Sequence, residues 1–207
     1  MEKAKWKSYP RPQLKREGYK ILNGMWELDG KKIQVPFAPQ SRLSGYEGTI
    51  KEQMVYKTVF TIPKEFEKPC ILLHFGAVDE VAKVYVNDVF VGKHEGGYLH
   101  FSFDISHVVN REQENILRVE VEDTLSRKYP YGKQCKKRGG MWYTPVSGIW
   151  QSVWMENVAS SHIERIVIKP DLTGVDVEVI GEGIDSFEVN IALSNNEIYV
   201  MTSKRFM

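Results

Sequence analysis

Trp142 and Tyr143 are the side chains of this sequence best placed to act on a ligand. They lie in Gly139-Gly140-Met141-Trp142-Tyr143-Thr144-Pro145-Val146-Ser147-Gly148-Ile149-Trp150-Gln151-Ser152-Val153-Trp154, which holds three of the chain's five tryptophans. No apolar period runs through this stretch, and its glycines and proline punctuate the backbone, so Trp142 and Tyr143 are predicted on a loop. An aromatic ring on a loop either plugs the end of a core or lines a binding face. Sugars offer flat C–H faces, and Trp and Tyr offer flat rings with one polar handle. Trp150 and Trp154, on the strand-like run after Gly148, are read as core. Trp142 and Tyr143 are read as facing a ligand, with capping of the core as the alternative.

No other constellation points to catalysis. Asp79–Glu80 and Glu120–Glu122 are the carboxylate pairs; the second pair alternates along one run and reads as a solvated strand face. The histidines at 74, 94, 100, 107 and 162 lack metal-ligand spacing. His74, inside an apolar run, is expected to be a satisfied core imidazole. Ser147-Gly148 lacks the Gly-x-Ser-x-Gly setting of a nucleophile elbow. No catalytic residue, metal site or cofactor is therefore expected.

Composition narrows the partners. The chain has 207 residues, 42% hydrophobic and 27% charged, with a formal net charge of +1. That balance suits a globular protein and gives no broad field for nucleic acid or an anionic membrane. No apolar run approaches the length of a membrane helix. Met1 to Glu17 is polar and basic, without the apolar core of a secretory signal. The expected location is the cytoplasm, or the periplasm or exterior if a signal peptide has been removed. Cys70 and Cys135 are too few for a disulfide framework and are expected as free thiols.

The elements that must position the loop are short strands. Tyr56, Phe60 and Ile62 take one face of a run, and Val55, Lys57, Val59 and Thr61 the other. Cys70 to Phe75 is a continuous apolar run, as in a central strand. Val81 to Gly92 reads as a hairpin turning at Asn87-Asp88, since both residues tolerate left-handed backbone. Leu99, Phe101, Phe103 and Ile105 alternate with polar residues, as do Leu117, Val119 and Val121. A basic, glycine-containing loop, Ser126 to Gly140, leads to the tryptophan-rich stretch. Met1 to Gly18 reads as an extended arm on the surface. After Ser160-Ser161 come further runs: Ile163, Ile166 and Ile168; Val175, Val177 and Val179; Phe187, Val189, Ile191 and Leu193, alternating with Glu188, Asn190 and Ser194; and a last run from Ile198. Many short strands between Gly/Pro turns mean an all-β sandwich or barrel.

Several motifs resemble one family. They are Tyr9-Pro10-Arg11-Pro12-Gln13-Leu14, Leu22-Asn23-Gly24-Met25-Trp26, Val35-Pro36, Tyr56 to Pro63, Gly96-Gly97-Tyr98 to Ile105, and the Trp-rich loop leading into Ser147-Gly148-Ile149. Together they resemble the sugar-binding domain of glycoside hydrolase family two, which includes β-galactosidases, β-glucuronidases and β-mannosidases. The resemblance implies a jelly-roll β-sandwich (galactose-binding-domain-like) over 1–158 and a truncated immunoglobulin-like β-sandwich over 159–207. It implies retaining hydrolysis by two glutamates on a β/α barrel downstream of both sandwiches. The chain shows no βαβ alternation. It is thus expected to be an N-terminal fragment, inactive alone, whose partner is the catalytic barrel of its parent chain.

In several members this loop supplies a carboxylate to the sugar. Gly140 stands at that position here, so Lys133, Gln134, Trp142 and Tyr143 are the expected substrate-binding residues, Gln134 for hydroxyl contacts and Trp142 for stacking. The alternative is that the loop only buttresses the barrel. Asp123 aligns with an aspartate that holds a structural cation in some β-galactosidases; a turn-capping role explains it equally. Carbohydrate binding by this chain is expected to be weak. Residues 160–207, too few for a closed sandwich, are expected to self-associate or to fold back on the jelly roll. A free-standing carbohydrate-binding module and a protein-interaction sandwich are the rival readings.

Overall fold

The computed structural model describes residues 8–125, 127–137, 139–184, 186–192 and 198–204. Leu193 and Ser194, expected on the strand through Phe187, lie outside the described residues, as do Ser126 and the first seven residues of the arm. The chain divides into two units, Met1–Asn157 and Val158–Met207.

In chain order the strands of the first unit are β1 (Tyr19–Ile21), β2 (Gly24–Leu28), β3 (Lys31–Val35), β4 (Gln53–Phe60), β5 (Cys70–Phe75), β6 (Val78–Asp79), β7 (Val81–Val86), β8 (Val89–Glu95), β9 (Phe101–Asp104), β10 (Asn115–Glu122), β11 (Gly148–Ile149) and β12 (Val153–Val158). They form a six-stranded sheet, β3-β2-β4-β10-β7-β8, a four-stranded sheet, β1-β12-β5-β9, and a short β11-β6 pair. This is the all-β sandwich expected. Period-two burial drives it. Leu117, Val119 and Val121 of β10 are buried, as are Met54, Tyr56 and Phe60 of β4, while Lys57 and Val59 face outward. Apolar faces of both sheets meet in one core, with Ile71, Leu73 and Phe75 of β5 and Val153 and Met155 of β12 opposite the six-stranded sheet.

Turn chemistry agrees with the pattern. Asn87 and Asp88 both have positive φ (52° and 64°), the geometry of a type I′ turn. Asn87 also accepts the Ile116 amide and donates to Asn115 Oδ1, which ties the β7–β8 turn to the start of β10. Asn23 does comparable work at the other end: it donates to Ser152 Oγ and accepts the Val153 amide, both at 2.9 Å, fixing the β1–β2 turn to the start of β12. Leu99 departs from expectation. It is 71% exposed because β9 begins only at Phe101, and the preceding Gly96-Gly97-Tyr98 segment is a loop.

β12 is buried along its whole length. Its second face, with Trp154 and Glu156, lies outside the inter-sheet core and is covered by the arm. Trp154 is thus buried, but not between the sheets. Glu156 is fully buried. Its carboxylate accepts from Arg16 Nε at 2.6 Å, from Trp154 Nε1 at 2.8 Å and from the Tyr9 hydroxyl. His74 stacks on Trp154 with ring centroids 4.8 Å apart and places Nε2 3.2 Å from Glu156. That contact is not aligned as a hydrogen bond, and neither ring nitrogen has a hydrogen-bonding partner among the described residues. The expectation of a satisfied imidazole is therefore corrected. The strand lays this ring flat on Trp154, and stacking replaces hydrogen bonding. Burial pushes the His74 pKa down, so the ring is neutral near pH 7. Burial alone would raise Glu156; the donors it accepts from outweigh it and hold the carboxyl at about 2.

The second unit has four strands, β13 (His162–Pro170), β14 (Val175–Glu182), β15 (Ser186–Ala192) and β16 (Ile198–Lys204). They pair as two antiparallel hairpins, β13 with β14 and β15 with β16. Asp171 closes the first turn by accepting the Thr173 and Gly174 amides. Val175, Val177 and Val179 are half-buried while Asp176 and Glu178 are exposed, the alternation expected.

Cys70 and Cys135 are free thiols, as expected. No helix among the described residues is long and apolar enough to cross a membrane. Glu156→Gln keeps the shape of the side chain but leaves Arg16 without its buried countercharge. Urea denaturation should show a loss of about 3 kcal/mol, and trypsin should cut the arm at Lys15 and Arg16 faster than in the unaltered chain. Unchanged stability with a protected arm would remove Glu156 as its anchor.

Candidate functional site

Four loops meet at one end of the sandwich, and Gln134 joins three of them. Its Nε2 donates to the Tyr98 hydroxyl at 3.2 Å, and its Oε1 accepts the Val146 amide. Its side chain also faces the Asp79 carboxyl, whose pKa it lowers. The Tyr143 amide donates to the Lys133 carbonyl at 2.8 Å and the Cys135 amide to the Tyr143 carbonyl at 3.2 Å, so Lys133, Gln134 and Tyr143 are held side by side. The fourth loop enters through Gln40, whose amide exchanges two hydrogen bonds with Ser147.

Trp142 follows a tight turn. Its amide donates to the Gly139 carbonyl, and Gly140 has φ +58°, a conformation that an unbranched backbone adopts without strain. Trp142 is 46% exposed and Tyr143 63% exposed. Met141 and Tyr98 beside them are exposed as well. Trp150 is half-buried; its Nε1 donates to the Gly97 carbonyl at 2.8 Å and its ring meets the edge of Tyr98. Trp142 and Tyr143, before Gly148, face outward; after it, Trp150 is only half-buried and Trp154 is buried on the outer face of β12, so neither lies in the inter-sheet core where it was expected. Gly148 separates the two pairs. It has φ +75°, and a Cβ there would overlap the Tyr56 hydroxyl.

Lys133, Gln134, Trp142 and Tyr143 are thus brought together on one loop. Both polar ends of the Gln134 amide are engaged within the protein, which makes this residue the clamp of the loop. Lys133, Trp142 and Tyr143 are exposed. None of the four lines the groove of about 670 Å³ on the six-stranded sheet, whose walls include Asp29, Glu52, Glu120, Glu122, Lys51 and Lys83 and no aromatic ring.

Sequence reasoning missed the ground beneath the loop. Asp79, Glu80 and Asp123 are buried, with one carboxylate oxygen of each within 4.8 Å of the others. Asp79 and Asp123 are 44 positions apart by number and meet because β10 pairs with β7 alongside β6. Glu80 accepts from the Thr124 amide and hydroxyl, and Asp123 accepts the Leu125 amide at 2.9 Å. Asp123 thus caps a turn, one of its two expected roles, and its carboxylate also belongs to this cluster. Three hard oxygen donors could in principle hold a divalent cation; their hydrogen bonds account for Glu80 and Asp123 without one. Burial first, and then the charges of Asp123 and Glu80, push Asp79 up to about 7. Burial raises Asp123 too, against the Leu125 amide.

A family model described as glycosyl hydrolase 2 galactose-binding domain-like matches residues 28–152. The chain belongs to glycosyl hydrolase family 2. Among its relatives in that family, a β-galactosidase of Thermoanaerobacter pseudethanolicus is 29% identical over 156 residues, covering 72% of this chain and 20% of the relative. A β-glucuronidase of Formosa agariphila is 24% identical over 138 residues, covering 67% of this chain and 14% of the relative. The chain thus spans a fifth or less of the length of these two family 2 enzymes. Among solved structures, a β-glucuronidase from Ruminococcus gnavus in complex with D-glucuronic acid superposes with a TM-score of 0.73 at 21% identity, over 97% of this chain and 41% of that one. At that identity the likeness is one of fold: a family 2 jelly roll followed by the strands of an immunoglobulin-like unit.

The buried acids give a pH dependence. A carboxyl whose folded pKa is raised binds its proton more tightly in the folded state. The stability it allows is fullest below the unfolded value of about 4 and falls as pH rises toward the folded value. For Asp79 that window runs up to about 7. Asp79→Asn keeps an acceptor for Gln134 and removes the charge. Its melting temperature should exceed that of the unaltered chain at about pH 8.5, and the difference should vanish by about pH 4.5. A difference independent of pH would show that Asp79 ionises freely.

Proposed function

We propose that these residues form the N-terminal, non-catalytic region of a retaining exo-glycosidase of β-galactosidase or β-glucuronidase type, which hydrolyses O-glycosyl bonds. The family match over residues 28–152 carries this reading. The clamped loop that exposes Trp142 and Tyr143 supports a share in sugar contact. Retaining hydrolysis needs two carboxyl groups flanking the scissile bond in an open site. The buried acids of this chain are committed to turns and to one another, and Glu156 to the arm, which supports a reading in which the catalytic pair lies elsewhere in the parent protein, on a barrel against which this loop end packs.

The purified chain should not release nitrophenol from nitrophenyl galactosides or glucuronides. It should bind galactose or glucuronic acid no more tightly than the millimolar range, ~4 kcal/mol. Trp142→Ala should leave stability within about 0.5 kcal/mol, since the ring is half out in solvent, while abolishing that weak binding. Turnover lost on mutating a residue within the chain would overturn the reading. Low-micromolar affinity lost in Trp142→Ala would instead favour a free-standing carbohydrate-binding module.

We also propose that residues 160–207 self-associate. Two-stranded hairpins are marginal alone, and the half-buried valines of β14 form an apolar row that a second copy can cover. Light scattering should give a dimer for the full chain and a monomer for residues 1–157. Monomers in both cases would dismiss self-pairing.

A further inference from the structure

The arm does not fill the outer face of the four-stranded sheet completely. At one end of that face Pro10 and Arg11 border a pocket of about 290 Å³. Its floor is a row of positions just beyond the strands: Gly76 after β5, His100 before β9 and Ser152 before β12. The Gly76 amide donates to the Ser152 carbonyl at 2.9 Å, and the facing pair Phe75 and Phe101 sets Gly76 beside His100. Trp154 forms a wall. A Cβ on Gly76 would come within 2.8 Å of the Gln151 Cβ, so the glycine lets Gln151 fold against the end of the sheet. None of Lys133, Gln134, Trp142 and Tyr143 lines this pocket.

The polar groups here are donors. Arg11 is half-buried and carries a fixed positive charge. The side-chain amide of Gln151 makes no hydrogen bond with a described residue. Ser152 Oγ accepts from Asn23 at 2.9 Å, which leaves its own hydrogen for another acceptor. No Asp or Glu stands among the described residues that line the pocket. The nearest buried carboxylate on this face, Glu156, is already paired with Arg16 at 2.6 Å. Arg11 is close enough to disfavour a second positive charge on either imidazole. Burial first, and then this guanidinium, lower His100, and after burial Arg11 and Arg16 both act against a charge on His74.

A cation with hydrogen-bond donors around it and no lining carboxylate suits a negatively charged oxygen ligand. The volume lies at the lower edge of the range for organic ligands, so the ligand is small. We propose that this pocket binds a small oxyanion, either free or as the carboxylate, sulfate or phosphate group of a small molecule, with Arg11 as countercharge and Gln151 and Ser152 as donors. His100, at the rim, adds a second positive charge when protonated. The charged and titratable groups that act on it are Arg11 from the arm and His94 from β8, on which His100 acts in turn. A bound anion offsets the guanidinium and raises the His100 pKa, so binding strengthens as pH falls.

The test titrates the full chain with sodium sulfate, phosphate and acetate, with chloride holding the ionic strength constant. NMR follows the Trp154 indole N–H, the Gln151 side-chain amide and the His100 ring. At least one oxyanion should shift these signals to saturation where chloride does not; preference for acetate or for the tetrahedral ions identifies the group that is held. Sulfate should bind more tightly at about pH 5.5 than at about pH 8, and saturation with it should raise the His100 pKa. Arg11→Gln should weaken binding about ten-fold, the worth of one hydrogen bond to a charged group. Trypsin cleavage at Lys15 and Arg16 reports whether the arm stays docked in that variant. If it does not, Gln151→Ala, which leaves the arm unaltered, decides, with a several-fold loss expected. Signals that never saturate, or that chloride moves equally, overturn the proposal. Affinity unchanged in both variants marks an adventitious ion only and overturns it as well.

Discussion

A strand with no face open to water sets the conditions for this sandwich. β12 lies inside the four-stranded sheet, with Val153 and Met155 in the core and Trp154 and Glu156 turned the other way. Burying Glu156 without partners would cost more than the fold could offset. The arm resolves this by bringing Arg16 as countercharge and Tyr9 as donor, while Trp154 supplies a third bond from the strand itself. A segment that looks like loose, charged surface chain is thereby the fourth wall of a polar chamber. Asn23 and Asn157 extend the same logic to the two ends of the strand, Asn157 by bonding Lys68 and the Cys70 carbonyl.

The loop end depends on a second constraint of the same kind. Gln134 has one amide and three neighbours, and each neighbour belongs to a different segment. The loop can therefore project exposed rings and remain ordered, since its polar groups are satisfied inward. Rigid presentation matters for a weak ligand, because less freedom is lost on binding. Gly97 adds to the tightness: a Cβ there would run into the Asp79 carboxylate. The Gly-Gly-Tyr motif thus reads physically as two things, a backbone that lets an acid approach and a phenol that receives Gln134.

The strands were legible because their burial repeats every second residue. Tyr56, Phe60 and Ile62 fall inward, and Asn87-Asp88 turns a hairpin. The outward rings at Trp142 and Tyr143 could be read from the glycines and the proline around them. Three things could not. Leu99 continues the alternation of β9 in sequence, yet the sheet ends before it, and only pairing shows where a strand stops. His74 has the surroundings of a core residue, but whether a partner awaits it depends on how the ring stacks on Trp154. The acid cluster joins residues from β6, from the turn after it and from the end of β10, and no local pattern announces contacts between distant strands. Gln134 belongs with these, since a glutamine that could contact a hydroxyl and one that ties three segments together look alike until the fold supplies the neighbours.

The pairing of β1 with β12 sets where the chain can be cut. The family match closes at residue 152, one position before β12 begins, and opens at residue 28, after β1 and most of β2. A piece trimmed to those limits would keep every loop of the candidate site and lose half the strands of the four-stranded sheet, together with Arg16, Trp154 and Glu156. Its remaining inner strands would show the core to water. The smallest stretch that can stand as a folded body therefore reaches from Tyr9 to Asn157, well past the region in which kinship is easiest to see.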